Sequence, residues 1–243
     1  MSSPVPKLYM LNRNYSSWSL RAWLAMRALN IELEPVMLIV GTKEIPDLGL
    51  PAANELMLRA GPTSKVPALH VEIAPGKTHI IFESLAIMEY LAEDYPSLWP
   101  ADRYERAYAR SLSSEMATGF FAVRNYAMNL REHRRFQPEL FNERVAADIK
   151  RLSDIWEELR SKAAQNKGKN DEGFLFGTFT ALDAMYAPIM FRFNSYDLAS
   201  KVEGEHAQAY MRHMLQYGPM KEWAALASQE TEIIPRDELP LPL

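Results

Sequence analysis

The chain has 243 residues, 48% hydrophobic and 24% charged, with a formal net charge of −4. That length suffices for one large or two small packed domains, and the acidic balance excludes general nucleic-acid binding, which needs a basic face. There is no cysteine, which excludes disulfides, thiolate metal sites and cysteine nucleophiles together, so any thiol chemistry must use a sulfur brought by a ligand.

Met1–Lys7 lacks the charged and apolar regions of a secretory signal, and no apolar run approaches the roughly 20 residues of a membrane helix. A cytoplasmic protein without a membrane partner is therefore expected. Leu8–Leu11 reads as a strand. It runs into Asn12–Ala25, where Leu20, Trp23, Leu24, Ala28 and Ile31 recur at helical spacing. Ser16 and Ser17 stand at the join, where a hydroxyl oxygen can cap the helix. A strand that ends at such a helix start also makes an anion site, since free N–H groups and the positive end of the dipole point at one spot. Arg21 lies a turn further on. It reads as a surface ion-pair partner in preference to a source of positive field.

Glu32–Ile39 predicts a second strand, parallel to the first, with Pro35 marking it as an edge. A short helix is expected within 52–59. Gly61-Pro62 is a turn, and in Lys65-Val66-Pro67-Ala68-Leu69 the proline stands at the mouth of a strand, where it need not donate a ladder bond. His70–Ile73 and His79–Phe82 flank the turn Ala74-Pro75-Gly76-Lys77 as an antiparallel hairpin. Glu83-Ser84 then opens a helix over Leu85–Asp94, and Tyr95–Pro100, with two prolines, is the candidate linker.

Strand signals almost vanish after Pro100. Arg103–Leu130 predicts one long helix, with Met116, Phe120, Phe121 and Tyr126 read as core in preference to pocket. The basic cluster Arg131-Glu132-His133-Arg134-Arg135 reads as a solvated helix end. Glu139–Ala164 is a second long helix with a stripe of Val145, Ile149, Leu152, Ile155, Trp156 and Leu159. Thr180-Ala181-Leu182-Asp183 has capping-box spacing ahead of Ala184–Phe193, and helices follow over His206–Gln216 and Pro219–Ser228. His206 and His213 share a helix face without a third ligand, so no metal site is expected. The tail 233–243 holds three prolines and reads as irregular. The layout is βαβ, a hairpin and a helix, then an all-helical half, which suggests domains at 1–97 and 103–230 and a tail at 231–243.

Four features in order carry a resemblance: Ser16-Ser17 at a strand–helix join, Lys65–Leu69, Phe82-Glu83-Ser84-Leu85-Ala86-Ile87-Met88-Glu89-Tyr90-Leu91, and the Thr180–Asp183 box. Together they resemble the cytosolic glutathione transferase family, over roughly Lys7–Ser228. Asn14-Tyr15-Ser16-Ser17-Trp18-Ser19-Leu20-Arg21 is similar to a microbial branch related to the serine-dependent zeta class.

The resemblance implies a fold: an α+β thioredoxin-like first domain in the order βαβαββα, then an all-α domain. It also implies a transferase that binds glutathione as co-substrate, uses no metal, and forms a homodimer. Lys65, Val66 and Pro67 would lie on the glutathione side of the site, with Pro67 cis and the Val66 backbone pairing with the cysteinyl unit as a strand would. Glu83 and Ser84 would hold the γ-glutamyl end. Ser16, with Ser17 as the close alternative, would donate a hydrogen bond that stabilises the thiolate for attack on a small electrophile.

Where zeta-class isomerases carry Ser-Ser-Cys, the third position here is Trp18, a bulky ring that walls off part of the site and weighs against isomerase activity. The alternatives to a transferase are a non-catalytic interaction module, a binder of apolar ligands, and a zeta-like glutathione-dependent isomerase.

Overall fold

The computed structural model describes residues 4–40, 55–126, 128–131, 136, 138–166 and 170–238. Four strands, β1 (Lys7–Leu11), β2 (Glu34–Leu38), β3 (Ala68–Ala74) and β4 (Lys77–Phe82), form one sheet in the order β2-β1-β3-β4. β1 pairs parallel with β2 and antiparallel with β3, and β3 pairs antiparallel with β4. The edge position expected from Pro35 is where β2 lies.

Helix α1 (Ser17–Ala28) crosses from β1 to β2, α2 (Glu55–Ala60) precedes β3, and α3 (Ser84–Asp94) follows β4. The expected order βαβαββα is therefore present. Positions 52–54 of the short-helix expectation lie outside the described residues.

Alternation along β1 splits its side chains between two layers. Leu8 and Met10 enter the main core with Leu20, Leu24, Ile87 and Met88. Tyr9 and Leu11 join a smaller cluster on the other face with Met57, Ala60 and Ala68. The sheet is thus covered on both sides.

The helical half comprises α4 (Arg103–Thr118), α5 (Phe121–Arg124), α6 (Glu143–Gln165), α7 (Ala181–Ser195), α8 (Glu205–Gln216) and α9 (Gly218–Ala227). The single helix expected over Arg103–Leu130 is broken. Gly119 ends α4 with extended backbone, and Phe120 turns left-handed at φ 54° before α5 begins. The break also overturns one core reading: Met116, Phe120 and Tyr126 are buried, but Phe121 is 68% exposed. Helix α6 starts later than expected because Asn142 caps it, accepting from the N–H groups of Arg144 and Val145.

Helix α7 is the central post. Nearly all of its side chains are buried, and it packs along α1, joining the two halves into one core. Its start is set by Asp183, whose carboxylate takes the Thr180 N–H at 2.8 Å. Of the basic cluster at 131–135 only Arg131 is described, and it lies 3.7 Å from Glu238; 132–135 and the tail beyond 238 lie outside the described residues. Among the described residues no helix is long and apolar enough to cross a membrane, and no group of acidic and histidine side chains is arranged to hold a metal.

Candidate functional site

A cleft of about 320 Å³ opens where β1 meets α1, bounded by Ser16, Trp18, Lys65, Val66, Pro67 and Glu83. Six of the eight expected site residues therefore line one cavity. The sequence brings them there by three local devices: the serine cap after β1, the proline turn before β3, and the helix start after β4. A second cavity of about 220 Å³ lies in the helical half beside Tyr108, Leu159 and Phe176, away from this cluster.

Ser16 is the N-cap of α1, with extended backbone and a side chain that accepts from the Ser19 N–H at 3.3 Å. Its Oγ also lies 2.7 Å from the Ser19 Oγ, which in turn accepts from the Leu11 N–H at 3.2 Å. Strand and helix are thus tied together through two hydroxyls, one of which opens on the cleft. Ser17 points elsewhere. It is buried, and its Oγ accepts from the Arg192 Nη2 of α7 at 2.9 Å. The two serines, indistinguishable as caps in the sequence, face different surroundings.

The Val66–Pro67 peptide is cis. Lys65 is exposed, Val66 half-buried and Pro67 buried. Glu83, the N-cap of α3, is exposed and adopts φ 68°, a conformation unusual for a residue with a side chain. Ser84, in the first turn of α3, is buried, with 2% exposure, and like Ser17 is not among the residues that line the cleft.

Arg21 corrects the sequence reading. It is not a surface ion-pair partner but is 2% exposed. Its guanidinium carbon lies 4.2 Å from the centre of the Trp18 ring, and its Nε donates to the Met185 carbonyl of α7 at 3.1 Å. The helical stripe of α1 faces α7 as well as the sheet, so a position that looks like the outer face of a helix is interior. Burial and then the charges of Arg192 and Arg124 lower its pKa to about 9, so the group remains a cation at neutral pH.

Two further residues at the start of α1, one beside Trp18 and one beside Ser17, were not anticipated. Arg124 of α5 stands 5.3 Å from the same ring. Arg192 is 6% exposed and donates from Nε to the Tyr126 carbonyl at 2.6 Å. The available signal was a lone arginine inside the apolar run Ala184–Phe193, which a buried helix does not tolerate without a partner.

The loop that presents Ser16 is held from the C-terminal side. Glu230 accepts from the backbone N–H of Arg13 at 2.9 Å and of Asn14 at 3.2 Å, and pairs with the Arg13 guanidinium at 3.3 Å. Trp223 Nε1 donates to the Arg13 carbonyl at 3.1 Å. Leu130 N–H donates to the Asn14 carbonyl at 3.2 Å. Burial, then the hydrogen bond to Glu238, raises the Tyr15 pKa above the ordinary phenol value.

Comparison with known proteins bears on this arrangement. Residues 15–94 match the family model described as the glutathione S-transferase N-terminal domain. The maleylacetoacetate isomerase of Mus musculus is 35% identical over 130 residues, 53% of this chain and 55% of its own. A zeta-class glutathione S-transferase of Euphorbia esula is 29% identical over 129 residues, 52% of this chain and 51% of its own. The chain thus spans about half the length of the curated relatives it matches. Among solved structures, a glutathione transferase homolog from Burkholderia with bound glutathione superposes with a TM-score of 0.62 at 17% identity, covering 93% of this chain and 98% of that one. At that identity the likeness is one of fold.

Proposed function

We propose that the chain belongs to the glutathione transferase family, related to its zeta class, and that it binds glutathione in the Ser16–Val66–Glu83 cleft and ionises the thiol for attack on a small electrophile. The observation that carries the reading is the Ser16 hydroxyl, which caps α1 and opens on the cavity that Val66, Pro67 and Glu83 also line. A free thiol has a pKa of about 8.5 and is a weak nucleophile until it ionises. A hydroxyl donating to the sulfur, at the positive end of a helix, favours the thiolate on both counts.

In this reading the Val66 backbone pairs with the cysteinyl unit. Glu83 meets the γ-glutamyl ammonium, the amino end of α3 at Ser84 meets its carboxylate, and Lys65 at the rim suits the other carboxylate. The proton leaves for solvent, and the thiolate attacks the electrophile beside Trp18. The protein works as a homodimer in the same proposal.

The test is the absorbance of bound thiolate against pH. Ser16→Ala should raise the thiol pKa by more than a unit relative to wild type. If neither Ser16→Ala nor Ser17→Ala moves it, the serine mechanism is wrong. A second reading, a glutathione-dependent cis–trans isomerase, is favoured by the name of the mouse relative and opposed by Trp18 in the cysteine position. The two separate on products: a transferase leaves a glutathione conjugate, whereas an isomerase returns all its glutathione.

A further inference from the structure

Arg21 of α1, Arg124 of α5 and Arg192 of α7 converge on Trp18 and Ser17, and among the described residues none has a carboxylate within ion-pair distance. Their acceptors are neutral. Arg21 has the Met185 carbonyl, Arg124 the carbonyls of Ala117 and Gly119, and Arg192 the Tyr126 carbonyl and the Ser17 hydroxyl. The Nη1 of Arg21 is buried with no partner at all. Nearby like charges, two of them buried, are costly to hold. They are held where α1 begins, so the dipole of that helix adds to the same positive potential. Asp237 contributes a negative charge that acts on Arg192, but three guanidiniums outnumber it, so an added anion is favoured there.

We propose that the added anion is the glutathione thiolate, and that Arg192 of the helical half is a positioning residue that acts through Ser17 to charge the amino end of α1. The inference rests on the glutathione reading above and extends it: thiol activation is shared between the two halves of the chain. Ser16 supplies the direct hydrogen bond to sulfur. Arg192 fixes the neighbouring Ser17 hydroxyl at 2.9 Å and, with Arg21 and Arg124, supplies the field. On ionisation the thiol proton passes to solvent and the sulfur keeps the electron pair, so no further reactant is needed. Ser17 is buried and does not line the cleft, whereas Ser16 does, so the direct bond to sulfur falls to Ser16.

The decisive measurement is the pKa of the bound thiol, read from thiolate absorbance in the full-length protein saturated with glutathione. Arg192→Met should raise it by about one unit, a roughly tenfold lower thiolate-to-thiol ratio at any given pH. Arg192→Lys, which keeps the charge, should recover most of the loss. Calorimetric binding of S-methylglutathione, which has no thiol to ionise, should be unchanged in both variants. A lesion that merely loosens the fold would weaken that binding too.

Arg124→Met, at a half-exposed position, reads the same field if Arg192→Met fails to fold, and should shift the pKa in the same direction. An unchanged thiol pKa in folded Arg192→Met or, failing that, in Arg124→Met overturns the inference, even if turnover falls. The control is Ser16→Ala. If it raises the pKa while the arginine variants do not, this inference alone fails. If Ser16→Ala is also silent, the underlying glutathione mechanism fails with it.

Discussion

Glu83 carries the clearest cost at the level of a single residue. Its φ of 68° is conformational space that favours glycine, and its exposed side chain makes no capping hydrogen bond to offset that. Strain of this kind is worth on the order of 1–3 kcal/mol and persists at ligand sites. Glu83→Gly should therefore leave stability unchanged or raise it by up to about 1 kcal/mol, by denaturant unfolding, since glycine returns some of the gain as backbone entropy. Glutathione affinity should fall in the same variant. A variant that is both less stable and equally avid would mean that the conformation serves packing and not the ligand. The paired serines make a related point. Ser16 and Ser17 are one residue apart and chemically identical, yet one opens on the cleft and the other on a buried guanidinium.

Among the elements, α7 shows how a helix start becomes a pH sensor. Asp183 is fully buried and accepts from the Thr180 N–H, the Thr180 hydroxyl, the Leu175 N–H and the Tyr210 hydroxyl. These four donors favour the carboxylate, but burial outweighs them and pushes its pKa up from 3.8 to about 6. The folded protein thus holds this proton more tightly than the unfolded chain does. The stability it contributes is present below about pH 4 and is lost as pH rises through about 6, an amount of roughly 2–3 kcal/mol. Denaturation midpoints followed from pH 4 to 6 should show that fall in wild type, and Asp183→Asn should flatten it. A steeper or unchanged slope in the variant would assign the effect to other groups. The break between α4 and α5 belongs to the same scale. A Cβ at Gly119 would lie 2.8 Å from the Glu115 carbonyl oxygen, so the glycine is required where the chain leaves the helix.

Across the whole molecule, the loop that presents Ser16 is held by a segment more than 200 residues away. Glu230, at the end of the helical half, satisfies two backbone N–H groups and the guanidinium of Arg13, all largely shielded from water. Removing one partner of a buried pair leaves the other uncompensated, at a cost of about 3 kcal/mol. Glu230→Ala should lose about that much in denaturant unfolding, and hydrogen exchange at Arg13 and Asn14 should accelerate more than in the β-sheet. Uniform acceleration would mean that the pair stabilises the fold generally and does not anchor this loop.

What the sequence determined on its own was whatever short-range physics writes down. The periodicity of α1, α3 and α6, the turn before β3, the edge proline of β2 and the hydroxyl caps are local patterns, and they carried the order of elements and six of the cleft residues. The long helix over 103–130 failed because periodicity continues through a glycine whose backbone turns aside. The tertiary structure alone decided which serine meets the cleft, that Arg21 is interior, and that Arg192 and Glu230 matter. Those outcomes rest on hydrogen bonds spanning 164, 175 and 217 residues. No local pattern encodes such pairings, because they exist only once α7 and α9 have packed against α1 and desolvated the groups between them.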